Sequence, residues 1–87
     1  MEDAVNKIIA GIEPELVFDS HFVIAQVLKR DSEAYIHFAS AGETTAQMHG
    51  RIAQIIQRSS SVRQLPQQSW SETIHGSPRR CALWQRI

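Results

Sequence analysis

Ser69-Trp-Ser-Glu-Thr-Ile-His75 and Cys81-Ala-Leu-Trp-Gln-Arg-Ile87, joined by Gly76-Ser-Pro-Arg-Arg80, are the residues on which the fold class turns. Upstream of them the apolar residues recur at helical spacing. Within them the period drops toward two, and a Gly-Ser-Pro segment separates the two runs. This pattern predicts an antiparallel β-hairpin with a basic tip at Arg79 and Arg80. In the second run Cys81, Leu83 and Ile87 alternate with Ala82, Trp84 and Arg86, so one set faces a core. Trp70 and Trp84 are expected to pack across or near the hairpin, where an aromatic pair would help to fix register.

Working back from the hairpin, Thr44 or Thr45 caps a helix over about Thr45–Arg58, with Met48, Ile52, Ile55 and Ile56 on one face. Beside that face Gln47, Arg51, Gln54 and Arg58 stand at i, i+4, i+7 and i+11, a polar stripe along one line of the helix. Gly50 costs this helix about 1 kcal/mol relative to Ala. Its expected justification is close approach of another backbone, from a packed helix or from a phosphate chain. The serine run Ser59–Ser61 ends the helix, and Pro66 keeps Val62–Gln68 out of regular helix.

Further upstream, Val23, Ile24, Val27 and Leu28 form the buried stripe of a helix that Asp19 or Ser20 caps and that runs to about Arg30. Asp31 and Ser32 offer a fresh cap for a short helix with Tyr35, Ile36, Phe38 and Ala39, which ends at Ala41-Gly42; the two could also be one kinked helix. Glu2–Ala10 reads as an opening helix stopped by Gly11. Pro14 breaks the connector that follows, and Leu16–Phe18 can form a short extended piece.

The chain of 87 residues is 43% hydrophobic and carries 9 basic and 9 acidic residues. One domain is expected over 1–87: an N-terminal helix and connector (1–18), a helical core (19–58) and the hairpin (69–87). A core this small buries only about two-thirds of the unfolded chain's surface, so a partner or an oligomer interface would add to its stability. The single cysteine excludes a disulfide framework and a multi-thiolate zinc site, and points to a reducing compartment. No secretory or membrane-spanning segment is seen, so a cytoplasmic location is expected.

Net neutrality hides an asymmetry. Residues 1–43 carry eight acids and three bases, net −5; residues 44–87 carry six arginines and one glutamate, net +5. Asymmetry of this kind hints at contact with a polyanion, or at attraction between the two halves. Arginine, with its planar fork, suits phosphate and base edges better than lysine does.

Other constellations point away from chemistry. His21, His37, His49 and His75 show no ligand spacing, so no metal site is expected. No cofactor or small-molecule ligand is implied. Cys81 reads as a small core residue, and no acid, base and nucleophile fall into a catalytic motif, so the chain is not expected to be an enzyme. Tyr35, Phe38, Trp70 and Trp84 are assigned to the core.

Two short helices, a turn at Ala41-Gly42, a helix with a polar outer stripe and an arginine-tipped hairpin resemble, in order, the winged helix-turn-helix family. The resemblance covers Ser20 to Ile87, with Ser20–Arg30 and Asp31–Ser40 as the first two helices, Thr45–Arg58 as the recognition helix and His75–Arg80 as the wing. It implies a small α+β domain of three to four helices and a C-terminal hairpin. It also implies duplex DNA as partner, possessed by a transcriptional regulator. Arg51 or Arg58 would reach guanine and Gln47 or Gln54 adenine. Thr44, Thr45 and the helix N-terminus would face phosphates, and Arg79 and Arg80 would add phosphate or minor-groove contacts. The family usually has a strand between its first two helices. Here Leu16–Phe18 would have to supply the third strand. The alternative is a protein-interaction module or homodimer, such as a small regulator or inhibitor encoded on a mobile element, using the same surface against protein.

Overall fold

The computed structural model describes residues 1–87. Its elements are α1 (Glu2–Ala10), β1 (Val17–Asp19), α2 (Ser20–Arg30), α3 (Ser32–Phe38), α4 (Thr45–Arg58), β2 (Val62–Glu72) and β3 (Pro78–Arg86). The strands form one antiparallel sheet in the order β1-β3-β2. This is a small α+β domain compatible with a winged-helix-like fold. Once α1 is counted as the first helix, β1 lies between the first two helices, where that family has its strand.

Helices α2, α3 and α4 each begin at a capping side chain. Asp19 caps α2 by accepting from the Phe22 N–H at 2.8 Å. Asp31 ends α2 and caps α3, accepting from the Ala34 N–H. Its backbone leaves helical geometry (φ −147°, ψ 64°), so α2 and α3 are two helices, not one kinked one. Thr44 and Gln47 form a reciprocal capping box at the start of α4, satisfying two backbone donors that a helix terminus otherwise leaves without partners.

Val5 and Ile9 of α1, Val23 and Val27 of α2, and Ile52 and Ile56 of α4 are fully buried and meet Phe18, Val62 and Trp84 of the sheet in one cluster. Trp84, 2% exposed, stands opposite Phe18 on one side and Gln64 on the other. Its indole N–H donates to the buried Ser20 hydroxyl at 2.9 Å, which pins the first turn of α2 to the central strand. Arg86 extends the same link to α1 by donating to the Ile9 carbonyl at 3.1 Å. The Glu13–Leu16 turn, with Glu15 at φ 77°, delivers β1 to the edge of β3. There the Glu15 N–H donates to the Arg86 carbonyl and the Arg86 N–H to the Leu16 carbonyl.

The hairpin departs from the sequence reading in four ways. First, β2 starts at Val62, seven residues before the expected Ser69, and runs through Pro66. The pairing slips between Gln64 and Gln68, so Pro66 sits in a bulge of an edge strand, a position where its missing N–H breaks no ladder. Second, β3 starts at Pro78. The turn is confined to Thr73–Ser77, with Gly76 at φ 79°, and Arg79 and Arg80 pair with Ser71 and Trp70 instead of lying in a loop. Third, Trp70 is 66% exposed and faces the Arg80 guanidinium at 5.9 Å, far from a core role, and it does not pack on Trp84. Tyr35 and Phe38 do pack against the core, as expected. Fourth, Ala82 and Trp84 take the core side, whereas Cys81 remains half-exposed outside the core cluster.

Loss of the Ser20 hydroxyl strands a buried indole donor, and leaving such a group without a partner costs about 1–3 kcal/mol. Ser20→Ala is therefore expected to lower stability by that amount in urea titration. Trp84→Ala, which also opens a cavity, is expected to cost about 3–5 kcal/mol.

Candidate nucleic-acid interface

Between the first turn of α4 and the β2–β3 turn lies a cleft of about 420 Å³. From α4 and its cap it receives Thr44, Thr45 and His49; from the hairpin, His75, Arg79 and Arg80; from α2, His21. No carboxylate lines it. The first turn of α4 carries no acid either, so the positive end of the helix dipole stays uncompensated by its own side chains. Arg79, a helix N-terminus and three imidazoles thus line one space, with Arg80 at its border and its guanidinium over the Trp70 ring, an arrangement suited to an anion.

His49 Nε2 and the Tyr35 hydroxyl are hydrogen-bonded at 2.8 Å. Burial, with the charges of His75 and His21 adding to it, pushes the His49 pKa below its ordinary value. Burial raises that of Tyr35.

The predicted site residues divide into three groups. Thr44, Thr45, Arg79 and Arg80 meet in the cleft. Gln47 lies next to it, but its side-chain oxygen accepts from the Thr44 N–H at 2.9 Å, so the carboxamide is partly committed to the cap. Arg51, Gln54 and Arg58 border a different depression, shared with Met1, Glu2 and Asp3 of α1. Arg58 is thereby placed among acids.

Arg51 has internal duties. It binds both carboxylate oxygens of Glu43, at 2.6 and 2.7 Å, and the Phe38 carbonyl at 2.7 Å, and its guanidinium lies 4.0 Å from the centre of the Phe38 ring. One side chain therefore ties the end of α3, the Ala39–Glu43 turn and α4 together. The expected guanine contact would require breaking this clamp. Gly50 also differs from expectation: nothing lies within 4 Å of where its Cβ would be, so no element of this chain demands a glycine there.

The reading by spacing missed two groupings. His21, His49 and His75 come from three separate elements and share the cleft. Asp19, His21 and Cys81 present one ligand atom each within 4.8 Å of one another. The β1–β3 register alone carries a hint: with Asp19 opposite Leu83, two further steps along each chain bring residue 21 toward residue 81. Without the register, nothing in the sequence links these positions. Searches against protein-family models, curated proteins and solved structures find no match to this chain.

The Arg51 hydrogen bonds, helped by the Ser40 N–H and the Arg51 charge, hold the Glu43 carboxyl below its ordinary pKa against opposing desolvation. A depressed carboxylate contributes stability that is present above its unfolded-state pKa and lost as pH falls through its folded value. Wild type is therefore expected to be more stable than Glu43→Gln near neutral pH, and the difference in thermal midpoint should close on acidification below the usual carboxylate range. Arg51→Ala should accelerate amide exchange in the Ala39–Thr44 turn.

Proposed function

We propose that the chain binds duplex DNA, with the N-terminal end of α4 and the hairpin holding the phosphate backbone. The observation that carries this reading is the acid-free cleft in which Arg79, Arg80, Thr44 and Thr45 meet. Phosphate contacts of this kind fix a protein's position on a duplex, whereas base contacts supply specificity. Beyond the cleft, α4 offers Gln47, the bare backbone at Gly50 and Gln54 on its exposed side. Gly50 gains meaning here. With no neighbour in its own chain, it leaves helix backbone open to close approach by a groove wall. Arg51 is better understood as holding α4 in place than as reading a base. We extend the proposal to a role as a small transcriptional regulator, which the element order shared with the winged helix-turn-helix family suggests.

A second reading, as a protein-interaction module, draws on a different surface. Leu16, Val17 and Phe22 are exposed together on β1 and the start of α2, beside a groove also lined by Ile12 and Phe18. Exposed apolar residues gathered in one place mark protein contacts more often than nucleic-acid contacts.

Fluorescence anisotropy with random-sequence duplex DNA at about 50 and 200 mM salt separates the two, because affinity carried by phosphate contacts falls steeply over that range. Salt-sensitive binding is expected, and Arg79→Ala combined with Arg80→Ala should weaken it and reduce the slope of log K against log salt by about 2. Absence of binding at the lower salt would discard the DNA reading in favour of a protein partner. Gly50→Ala should raise stability by about 1 kcal/mol, since Ala is the better helix former and the added methyl meets nothing. The same variant should bind DNA more weakly; an unchanged affinity would place the duplex away from this side of α4.

A further inference from the structure

Asp19, His21 and Cys81 form the one group of three potential metal ligands in the chain, with all their ligand atoms within 4.8 Å of one another. They arrive from different directions. Asp19 ends the edge strand β1, His21 stands in the first turn of α2, and Cys81 lies on the central strand β3 opposite Ser69 of β2. The backbone around them is regular secondary structure, so the trio is held by three paired strands and a capped helix instead of by a loop.

At the centre of the group is the Ser71 hydroxyl, 2.6 Å from His21 Nδ1 and 3.9 Å from Cys81 Sγ. The Asp19 carboxylate accepts from the Phe22 N–H through one oxygen and from the Ser69 hydroxyl through the other, at 2.8 Å each. Each carboxylate oxygen has a further lone pair, so neither bond removes Asp19 from a ligand set. These bonds are what orients the carboxylate, as hydrogen-bonded carboxylates in metal sites are oriented. All three side chains are half-buried, accessible to an ion yet constrained in position.

We infer that Asp19, His21 and Cys81 bind one divalent transition-metal ion, with zinc the best match, and that the Ser71 hydroxyl turns aside to admit it. A thiolate, an imidazole and a carboxylate are all ordinary zinc ligands, whereas the hard cations magnesium and calcium require oxygen donors throughout. Tetrahedral zinc with bonds of about 2.0–2.3 Å brings its ligands closer together than they stand without an ion. Rotation of the His21 and Cys81 side chains toward the hydrogen-bonded Asp19 carboxylate supplies that contraction. Three protein ligands leave a fourth position for water or another small ligand. The site is separate from the DNA-binding proposal, sharing only His21 with the cleft.

The presence of a single cysteine makes the test direct. Cobalt(II) added to the purified full-length chain should give a near-ultraviolet thiolate-to-cobalt charge-transfer band that saturates at one metal per chain, and that band reports Cys81 with no variant needed. Zinc should displace the cobalt and compete with a chromophoric chelator. Cys81→Ser should abolish the band. His21→Ala and Asp19→Asn should each weaken zinc at least about tenfold, the second while keeping an oxygen acceptor for the cap on Phe22. Circular dichroism of each variant separates ligand loss from misfolding. Absence of the band from the wild-type chain, saturation at half a metal per chain, or zinc affinity indifferent to His21→Ala and Asp19→Asn would overturn the assignment.

Discussion

The hydrogen bond from the Trp84 indole to the Ser20 hydroxyl, made inside the core near the end of the central strand β3, is the constraint on which the remaining arrangement depends. Ser20 is the one buried polar residue of the chain. A buried donor without a partner is costly, so this pair admits a single placement of α2 against the sheet. Given that placement, Asp19 must end β1 opposite Leu83, and Phe18 must stand beside Trp84. Arg86, one turn of pleat further along β3, then reaches the Ile9 carbonyl and brings α1 to the same core. Burial of branched side chains supplies the driving force, but the polar links choose among the packings that burial alone would allow.

The strand that organises the core also reaches the candidate sites. Toward its end β3 buries Trp84; at its start it carries Arg79 and Arg80, and between the two lies Cys81. The residues of both proposed sites are thereby mounted on a paired strand that Trp84 anchors in the core, and residues on rigid elements keep their geometry better than residues on loops. Helix α4 is held in a comparable way from two sides. Ile52 and Ile56 bury its inner face, while Arg51 and the Thr44–Gln47 cap fix its N-terminal half. Its outward surface, with Gly50 at its centre, is left free.

The opposite charges of the two halves of the chain meet in one ion pair, Glu43 with Arg51. General attraction between an acidic half and a basic half is therefore a small part of the fold. The other five arginines of the second half are spent differently: Arg86 on a backbone carbonyl, Arg63 on the Gln85 side chain, Arg80 facing Trp70, Arg79 at the cleft, and Arg58 in the depression shared with Glu2 and Asp3. No helix is long and apolar enough to cross a membrane. The charge asymmetry is expressed mainly as an arrangement of surface, which is what makes the cleft beside α4 free of carboxylates.

By itself the sequence determined the features that depend on neighbours within a few residues. The bounds of α1, α2 and α4, caps at Asp19 or Ser20 and at Thr44 or Thr45, and the apolar stripes of Val23, Ile24, Val27, Leu28 and of Met48, Ile52, Ile55, Ile56 follow from helical spacing and from side chains that satisfy the free N–H groups of a first turn; the structure selects Asp19 and Thr44 as caps and leaves Leu28 and Ile55 half-buried. The extended Leu16–Phe18 segment was readable for a similar reason, as a short apolar run after a proline. Tertiary structure decided everything that depends on register. The early start of β2, the bulge that accommodates Pro66, the exposure of Trp70 and the diversion of Arg51 to Glu43 and Phe38 carry no local signal, because each is settled by which residue on a distant segment stands opposite. The grouping of Asp19 and His21 with Cys81 belongs to the same class: those residues are about sixty positions apart along the chain, and only the antiparallel pairing of β1 with β3, enforced by the burial of Trp84, brings them within reach of one ion.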